Sequence, residues 1–224
     1  GKEPAWTFEK GRGLKAIAAV DKPVCALAIS PDGARIAIGL DGGRTGPVEV
    51  VDRVDGVSML LKGPRTATHG LAFTPSGLIL AASGKTLTRW PANGGRGKTV
   101  FRGKKGCGLV GLLPDGDAVV VDRGETIVAL DPQTGAVRWR HDQYGPSAVC
   151  GDVVLSCRFQ VLKAIRGGRL LAQLPLRDFS DALALDPKQR RIAVARPHRI
   201  TLIDLPSGTR HVQHGHDFCA RYFS

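Results

Sequence analysis

A short unit of apolar strand, proline turn and second strand recurs along this chain, and it limits the fold more than any other feature. The fullest copy, residues 24–39, reads VCALAISPDGARIAIG. Val24, Leu27 and Ile29 are the large apolar residues of a first strand, Pro31-Asp32-Gly33 is a turn, and Ile36 and Ile38 belong to a second strand. Proline fixes φ near the value that the second turn position needs, and glycine adopts conformations that other residues resist. The unit returns at Leu71, Phe73, Thr74, Pro75, Ser76 and Gly77, then at Val110, Leu112, Leu113, Pro114, Asp115 and Gly116, then at Leu183, Leu185, Asp186, Pro187 and Lys188. From Pro31 to Pro75 is 44 residues, from Pro75 to Pro114 is 39, and from Pro114 to Pro187 is 73, which is two shortened periods. A period of roughly 40 residues made of short strands and turns is that of a β-propeller array.

The strands are short apolar runs or alternate apolar with polar residues, turn clusters separate them, and no stretch sustains a helical period. The expected fold is an all-β propeller with blades near 21–64, 65–103, 104–140, 141–174 and 175–214. Leu27, Ile29, Leu71, Phe73, Val110, Leu112, Leu183 and Leu185 are expected to pack inward. The fourth repeat is the shortest, with Cys150-Gly151-Asp152 in place of the proline turn. Residues 5–20 read as the last two strands of a further blade, because Gly1-Lys2 and Trp6 stand at nearly the offsets of Gly84-Lys85 and Trp90. Residues 217–224 read as a first strand. The expectation is therefore five complete four-stranded blades plus a composite partial blade from both termini. That composite blade lacks its second strand, and proteins normally cover the unpaired edges such a gap leaves. On this reading residues 1–224 form one propeller domain, a fragment of a longer propeller of six or seven blades. Another protein, or a separate segment of the same polypeptide, completes it.

The one outlier in composition is charge: 32 Lys and Arg against 20 Asp and Glu, a formal net charge of +12. Such a balance favours acidic partners, either nucleic acid or an acidic protein face. No apolar run approaches the roughly 18 residues of a spanning helix, so a membrane partner is not expected. Five cysteines, Cys25, Cys107, Cys150, Cys157 and Cys219, show no C-x-x-C spacing and an odd count, which disfavours a zinc site and a disulfide framework. Buried, reduced thiols in a cytoplasmic protein are the expectation.

The repeat resembles that of the WD-repeat β-propellers along nearly the whole chain. Ser30-Pro31-Asp32-Gly33 is the family's full turn, and Gly215-His216 precedes the strand at 218–224. Val51-Asp52, Leu130-Asp131 and Ile203-Asp204 stand where that family has Trp-Asp. Residues 129–139, ALDPQTGAVRW, are also similar to repeats of quinoprotein-type propellers. The resemblance implies blades packed face to face around a central channel, with loops gathered on two faces. It also implies a rigid, non-catalytic platform that presents loops to partner proteins. In bacteria such arrays are often attached to kinases, proteases or ATPases, so a regulatory or sensor module of a signalling or defence complex is expected.

Other constellations are weaker. His211, His214 and His216 with Asp217 have spacings that zinc accepts, but the run straddles a strand end and the Gly-His turn. The glycine-rich residues 42–46 lack the Lys-Ser/Thr and helix of a phosphate loop. Asp115 is explained by turn chemistry, and Asp117 and Asp122 read as flanking a solvated strand end. No activated nucleophile pattern is present. No catalytic, cofactor or metal residue is therefore assigned. The candidate partner contacts are Arg96, Lys98, Lys104, Lys105, Arg166, Lys188, Arg190, Arg191 and Arg199. Turns after first and third strands leave a blade at one end, which groups Lys188, Arg190 and Arg191 with Arg96 and Arg166, away from Arg102, Lys104 and Lys105. Two alternatives remain: a subunit contacting nucleic acid through Lys104, Lys105, Arg190 and Arg191, and an enzyme with its site at the channel mouth.

Overall fold

The computed structural model describes residues 3–9, 13–20, 22–41, 48–62, 66–122, 126–142, 145–158, 160–176, 182–186, 191–196, 199–204 and 210–214. Two compact units are present: Gly1–Leu109 with Asp131–Ala136, and Val110–Leu130 with Val137–Ser224. Every described element is a strand, and none of the described residues forms a helix long and apolar enough to cross a membrane.

β1 (Glu3–Glu9) and β2 (Gly13–Val20) pair as a two-stranded sheet. Five four-stranded sheets follow, each made of consecutive strands side by side in chain order. The first holds β3 (Val24–Ile29), β4 (Arg35–Leu40), β5 (Val48–Asp52) and β6 (Ser58–Leu61). The second holds β7 (Thr68–Phe73), β8 (Ile79–Ser83), β9 (Thr86–Trp90) and β10 (Lys98–Arg102). The third holds β11 (Cys107–Leu112), β12 (Ala118–Asp122), β13 (Thr126–Leu130) and β14 (Val137–His141). The fourth holds β15 (Ser147–Cys150), β16 (Val153–Arg158), β17 (Val161–Arg166) and β18 (Arg169–Pro175). The fifth holds β19 (Ala182–Leu185), β20 (Arg191–Arg196), β21 (Arg199–Asp204) and β22 (Arg210–His214).

The recurrent turn closes in the same way at each full copy. Gly33, Gly77 and Gly116 have φ of +70°, +81° and +89°, where a side chain is strained, and each donates its N–H three residues back, to Ser30, Thr74 and Leu113. Side chains support the reversal: Ser30 Oγ accepts from the Arg35 N–H at 2.8 Å, and Thr74 Oγ1 from the Leu78 N–H at 2.9 Å. Strand register then follows from hairpins too short to slip.

Within each unit the sheets stack by their apolar faces. In the first unit Ala37, Val50 and Leu61 pack with Phe73, Ile79 and Trp90, and β7 lies against both β3 and β4. In the second unit Leu155, Cys157 and Leu162 pack with Leu183, Ile192 and Val194, and β19 lies against β15 and β16. The fully buried aliphatic side chains among these each contribute about 1.5–3 kcal/mol. In both cases the first strand of a sheet is thus covered by the first and second strands of the sheet before it.

That rule explains a departure from expectation. Leu27 and Ile29, read as packing inward, are 57% and 60% exposed, whereas Phe73 and Leu183 are buried. The only sheet preceding β3 is β1–β2, whose strands correspond by sequence to a third and fourth, so the first and second strands that cover Leu71 and Phe73 have no counterpart among the described residues. Cys25, in the same strand, is likewise exposed, while Cys107 and Cys157 are buried as expected and Cys150 is half-buried. Asp117 and Asp122 are buried rather than solvated. The expected strand at 217–224, Cys219 and the His216–Asp217 pair lie outside the described residues, as do the side chains of His211 and His214.

Candidate functional site

The second unit has a cleft of about 530 Å³ at the hairpin-turn ends of the third and fourth sheets. Leu113, Pro114, Asp115 and Asp117 enter it from the β11–β12 turn, Arg138 and Trp139 from β14, Asp152 from the β15–β16 turn, and Arg166 and Gly167 from the end of β17. The sequence brings them together because turns after first and third strands leave a sheet at one end.

Backbone geometry sets each group. Asp115 Oδ1 accepts the Asp117 N–H at 3.0 Å, and Leu113 N–H donates to the Asp117 carbonyl at 2.9 Å, which closes the turn and buries the Asp117 carboxylate. That carboxylate meets Arg138 Nε at 3.4 Å, with the Arg138 side chain largely in solvent. Arg166 Nε meets Asp152 Oδ2 at 2.8 Å across the fourth sheet, and both side chains are about half exposed. Trp139 is half-buried between these pairs. Its ring stands edge-on to His141, with centroids 6.1 Å apart, and His141 Nε2 donates to the Gly168 carbonyl at 2.7 Å. A Cβ at Gly168 would sit 2.8 Å from the Trp139 Cβ, and its φ is +78°, so glycine is required where the β17–β18 turn meets the indole.

The cleft therefore offers an aromatic wall beside two arginine–aspartate pairs. The half-exposed Arg166–Asp152 pair contributes only about 0–1 kcal/mol to stability, so a ligand's own charges can exchange with it at little cost. Among the described residues no group of three His, Cys, Asp or Glu side chains is placed to hold a metal ion.

The sequence-derived contacts divide as follows. Arg96 and Lys98 are exposed at the β9–β10 connection of the first unit. Lys104 and Lys105 are exposed at the other end of β10, in the connection to β11. In the second unit Arg166 belongs to the cleft. Arg191, at the start of β20, is held by Asp204 at 2.7 Å, while Arg199 is half-buried at the opposite end of that sheet. Lys188 and Arg190 lie outside the described residues. Arg138, Trp139, Asp117 and Asp152 were not singled out as site residues by sequence reasoning, although the turn spacing that groups Arg166 with its neighbours also points to Asp152.

No family profile matches the sequence, and no curated protein matches it. Among solved structures 1124 chains match in fold, a breadth that speaks to architecture rather than to role. One of them is a chain in the crystal structure of the mitotic checkpoint complex, similar with a TM-score of 0.79 and 12% identity over 98% of this chain and 75% of that one. Together with five four-stranded sheets of consecutive strands, this likeness shows the fold to be an all-β propeller.

Proposed function

We propose that the protein is a non-catalytic interaction platform that engages another protein through the Trp139 cleft. The observation that carries this reading is the half-buried indole framed by the Arg138–Asp117 and Arg166–Asp152 pairs. A half-buried aromatic with a charged rim has the anatomy of a protein–protein contact. The presence of the similar solved chain in a protein complex supports the same reading. The resemblance of the repeat to WD arrays extends it to a cytoplasmic regulatory or sensor module of a bacterial signalling or defence complex, such as one containing a protease.

The nucleic-acid reading is less well supported, because Arg166 and Arg191 are matched locally by Asp152 and Asp204, whose carboxylates repel phosphate. The test compares a partner co-purified with the wild-type chain against the Trp139→Ala and Arg166→Glu variants, with salt titrated across each complex. A loss of affinity of about tenfold or more with shallow salt dependence is the expected result. Unchanged binding by both variants, or a steep salt dependence with nucleic acid in the complex, overturns the proposal.

A further inference from the structure

The chain carries a formal net charge of +12, yet the Trp139 cleft is locally acidic. Three aspartates and two arginines line it. Asp117 is matched by Arg138 and Asp152 by Arg166, which leaves Asp115. Among the described residues the Asp115 side chain makes one hydrogen bond, accepting the Asp117 N–H at 3.0 Å, and no ion pair. Its repeat equivalent in the first sheet is held more fully: Asp32 Oδ1 accepts both the Ser30 hydroxyl and the Ala34 N–H. The cause is one residue. Leu113 stands where the first repeat has Ser30, so no hydroxyl reaches the Asp115 carboxylate, and Leu113 is buried at the cleft wall instead.

A second group of the same cleft is also unengaged. Trp139 is half-buried, and among the described residues its Nε1–H has no acceptor, although indole N–H groups in such places usually find one. The ring is held from its sides, edge-on to His141 and close against Gly168, so it presents a fixed surface. A fixed aromatic ring beside an unmatched carboxylate attracts a cation, the ring through its quadrupole and the carboxylate through its charge. A cation cannot use the N–H, so a ligand that satisfies both groups also brings an acceptor.

We propose that the cleft takes a basic side chain of the partner protein, with its cationic head against Asp115 and the Trp139 ring and a main-chain carbonyl of the partner accepting from Nε1. The inference rests on the reading of the cleft as a protein interface and names what enters it. Arginine fits better than lysine, because a planar guanidinium stacks on an aromatic ring while its donors fork onto a carboxylate. The overall charge steers acidic surfaces toward the protein, but an acidic side chain entering this cleft meets Asp115 and is repelled.

The 224-residue chain is titrated with blocked tripeptides that carry arginine, citrulline or glutamate between two glycines. Indole N–H resonances are followed by NMR, with that of Trp139 assigned by its loss in Trp139→Phe. The arginine peptide is expected to move this resonance saturably, citrulline, of the same shape without the charge, to bind several-fold more weakly, and glutamate least. Asp115→Asn keeps the oxygen that accepts the Asp117 N–H and removes the charge, so it should weaken the arginine peptide by roughly two- to fivefold, the worth of one exposed ion pair. Asp142→Asn makes an equal change of net charge at an exposed residue outside the cleft and should leave that affinity unchanged. No shift with arginine, glutamate binding as tightly, or equal losses in the two variants overturns the proposal. Against the co-purified partner the two readings separate. Binding that Trp139→Ala weakens and Asp115→Asn does not overturns the basic side chain alone, and a partner indifferent to Trp139→Ala removes the interface reading with it.

Discussion

The indole Nε1 of Trp90 in the second sheet donates to the main-chain carbonyl of Lys62 at the end of the first, 3.2 Å away, with the ring fully buried. The bond ties the third strand of the second sheet to the end of the fourth strand of the first, and the space around it is full: a Cβ at Gly97 would come within 2.6 Å of that nitrogen. Trp90→Phe is expected to cost about 2–3 kcal/mol, from the lost volume and a carbonyl left without its donor. Gly97→Ala is also expected to destabilise. The double variant should lose less than the sum, because phenylalanine removes the atom that the new methyl group meets. Denaturant unfolding of the four proteins measures the coupling.

Thr68 is expected to behave in the opposite way. Its side chain is fully buried in β7 and its hydroxyl finds no hydrogen-bond partner. Thr68→Val keeps the shape and removes the desolvated hydroxyl, so a gain of about 1 kcal/mol is expected in thermal or urea unfolding. Thr68→Ser keeps the hydroxyl, opens a cavity and should destabilise. Gly39→Ala should do the same, since its Cβ would approach the Thr68 Cβ and Cγ2 to 3.0 Å.

The two ion pairs of the cleft are expected to separate in stability measurements. Arg166→Ala breaks a pair whose members are both about half in water, and a loss within about 0.5 kcal/mol is expected. Arg138→Ala removes a partner from a carboxylate that is largely buried, so a larger loss of about 1 kcal/mol should appear in the same assay. Equal losses would show that burial of Asp117 does not set the strength of its pair.

At the first turn, the Ser30 hydroxyl donates to Asp32 and the Ala34 N–H reaches the same oxygen, which together hold the Asp32 carboxyl below its ordinary value of 3.8. A depressed carboxylate pKa stabilises the fold above the unfolded value, and that contribution disappears as pH falls through the folded one. Ser30→Ala should move the Asp32 titration back up, as read by carboxyl NMR shifts, and should flatten the acid limb of the stability profile below 3.8. An Asp32 titration unmoved in Ser30→Ala would assign the shift to the backbone instead.

Cys25 is exposed, yet partial desolvation of its thiol and then the charge of Asp41 push its pKa up. Less thiolate means slower reaction at mildly alkaline pH. Iodoacetamide should modify Cys25 more slowly than a simple peptide thiol, and Asp41→Asn should quicken it. A rate insensitive to Asp41→Asn would remove the carboxylate from this account.

The blades were legible in the sequence because their information is local. Pro31-Asp32-Gly33, Pro75-Ser76-Gly77 and Pro114-Asp115-Gly116 mark turns that hold glycine at positive φ, and each strand finds its partner across a short connection. The exposure of Leu27 and Ile29 was not legible, because their pattern is that of Leu71 and Phe73 and only the neighbouring sheet differs. Asp117 read as solvated because its burial comes from the turn folding back on itself and from Arg138 arriving on another strand. Turn spacing brought Arg166 to the right end of its sheet, but the conformers that pair it with Asp152 and frame Trp139 are set by packing and not by the pattern of residues.

Because consecutive strands make each of the five four-stranded sheets, neighbours within a sheet are also neighbours in the order of synthesis. A sheet can close as soon as its fourth strand clears the ribosome, at about 5–20 residues per second, well before the next is made. Within each unit the newly finished sheet offers its face to the one that follows. Translation order and assembly order then coincide, and a nascent chain halted between repeats leaves finished blades behind it rather than an unpaired polypeptide.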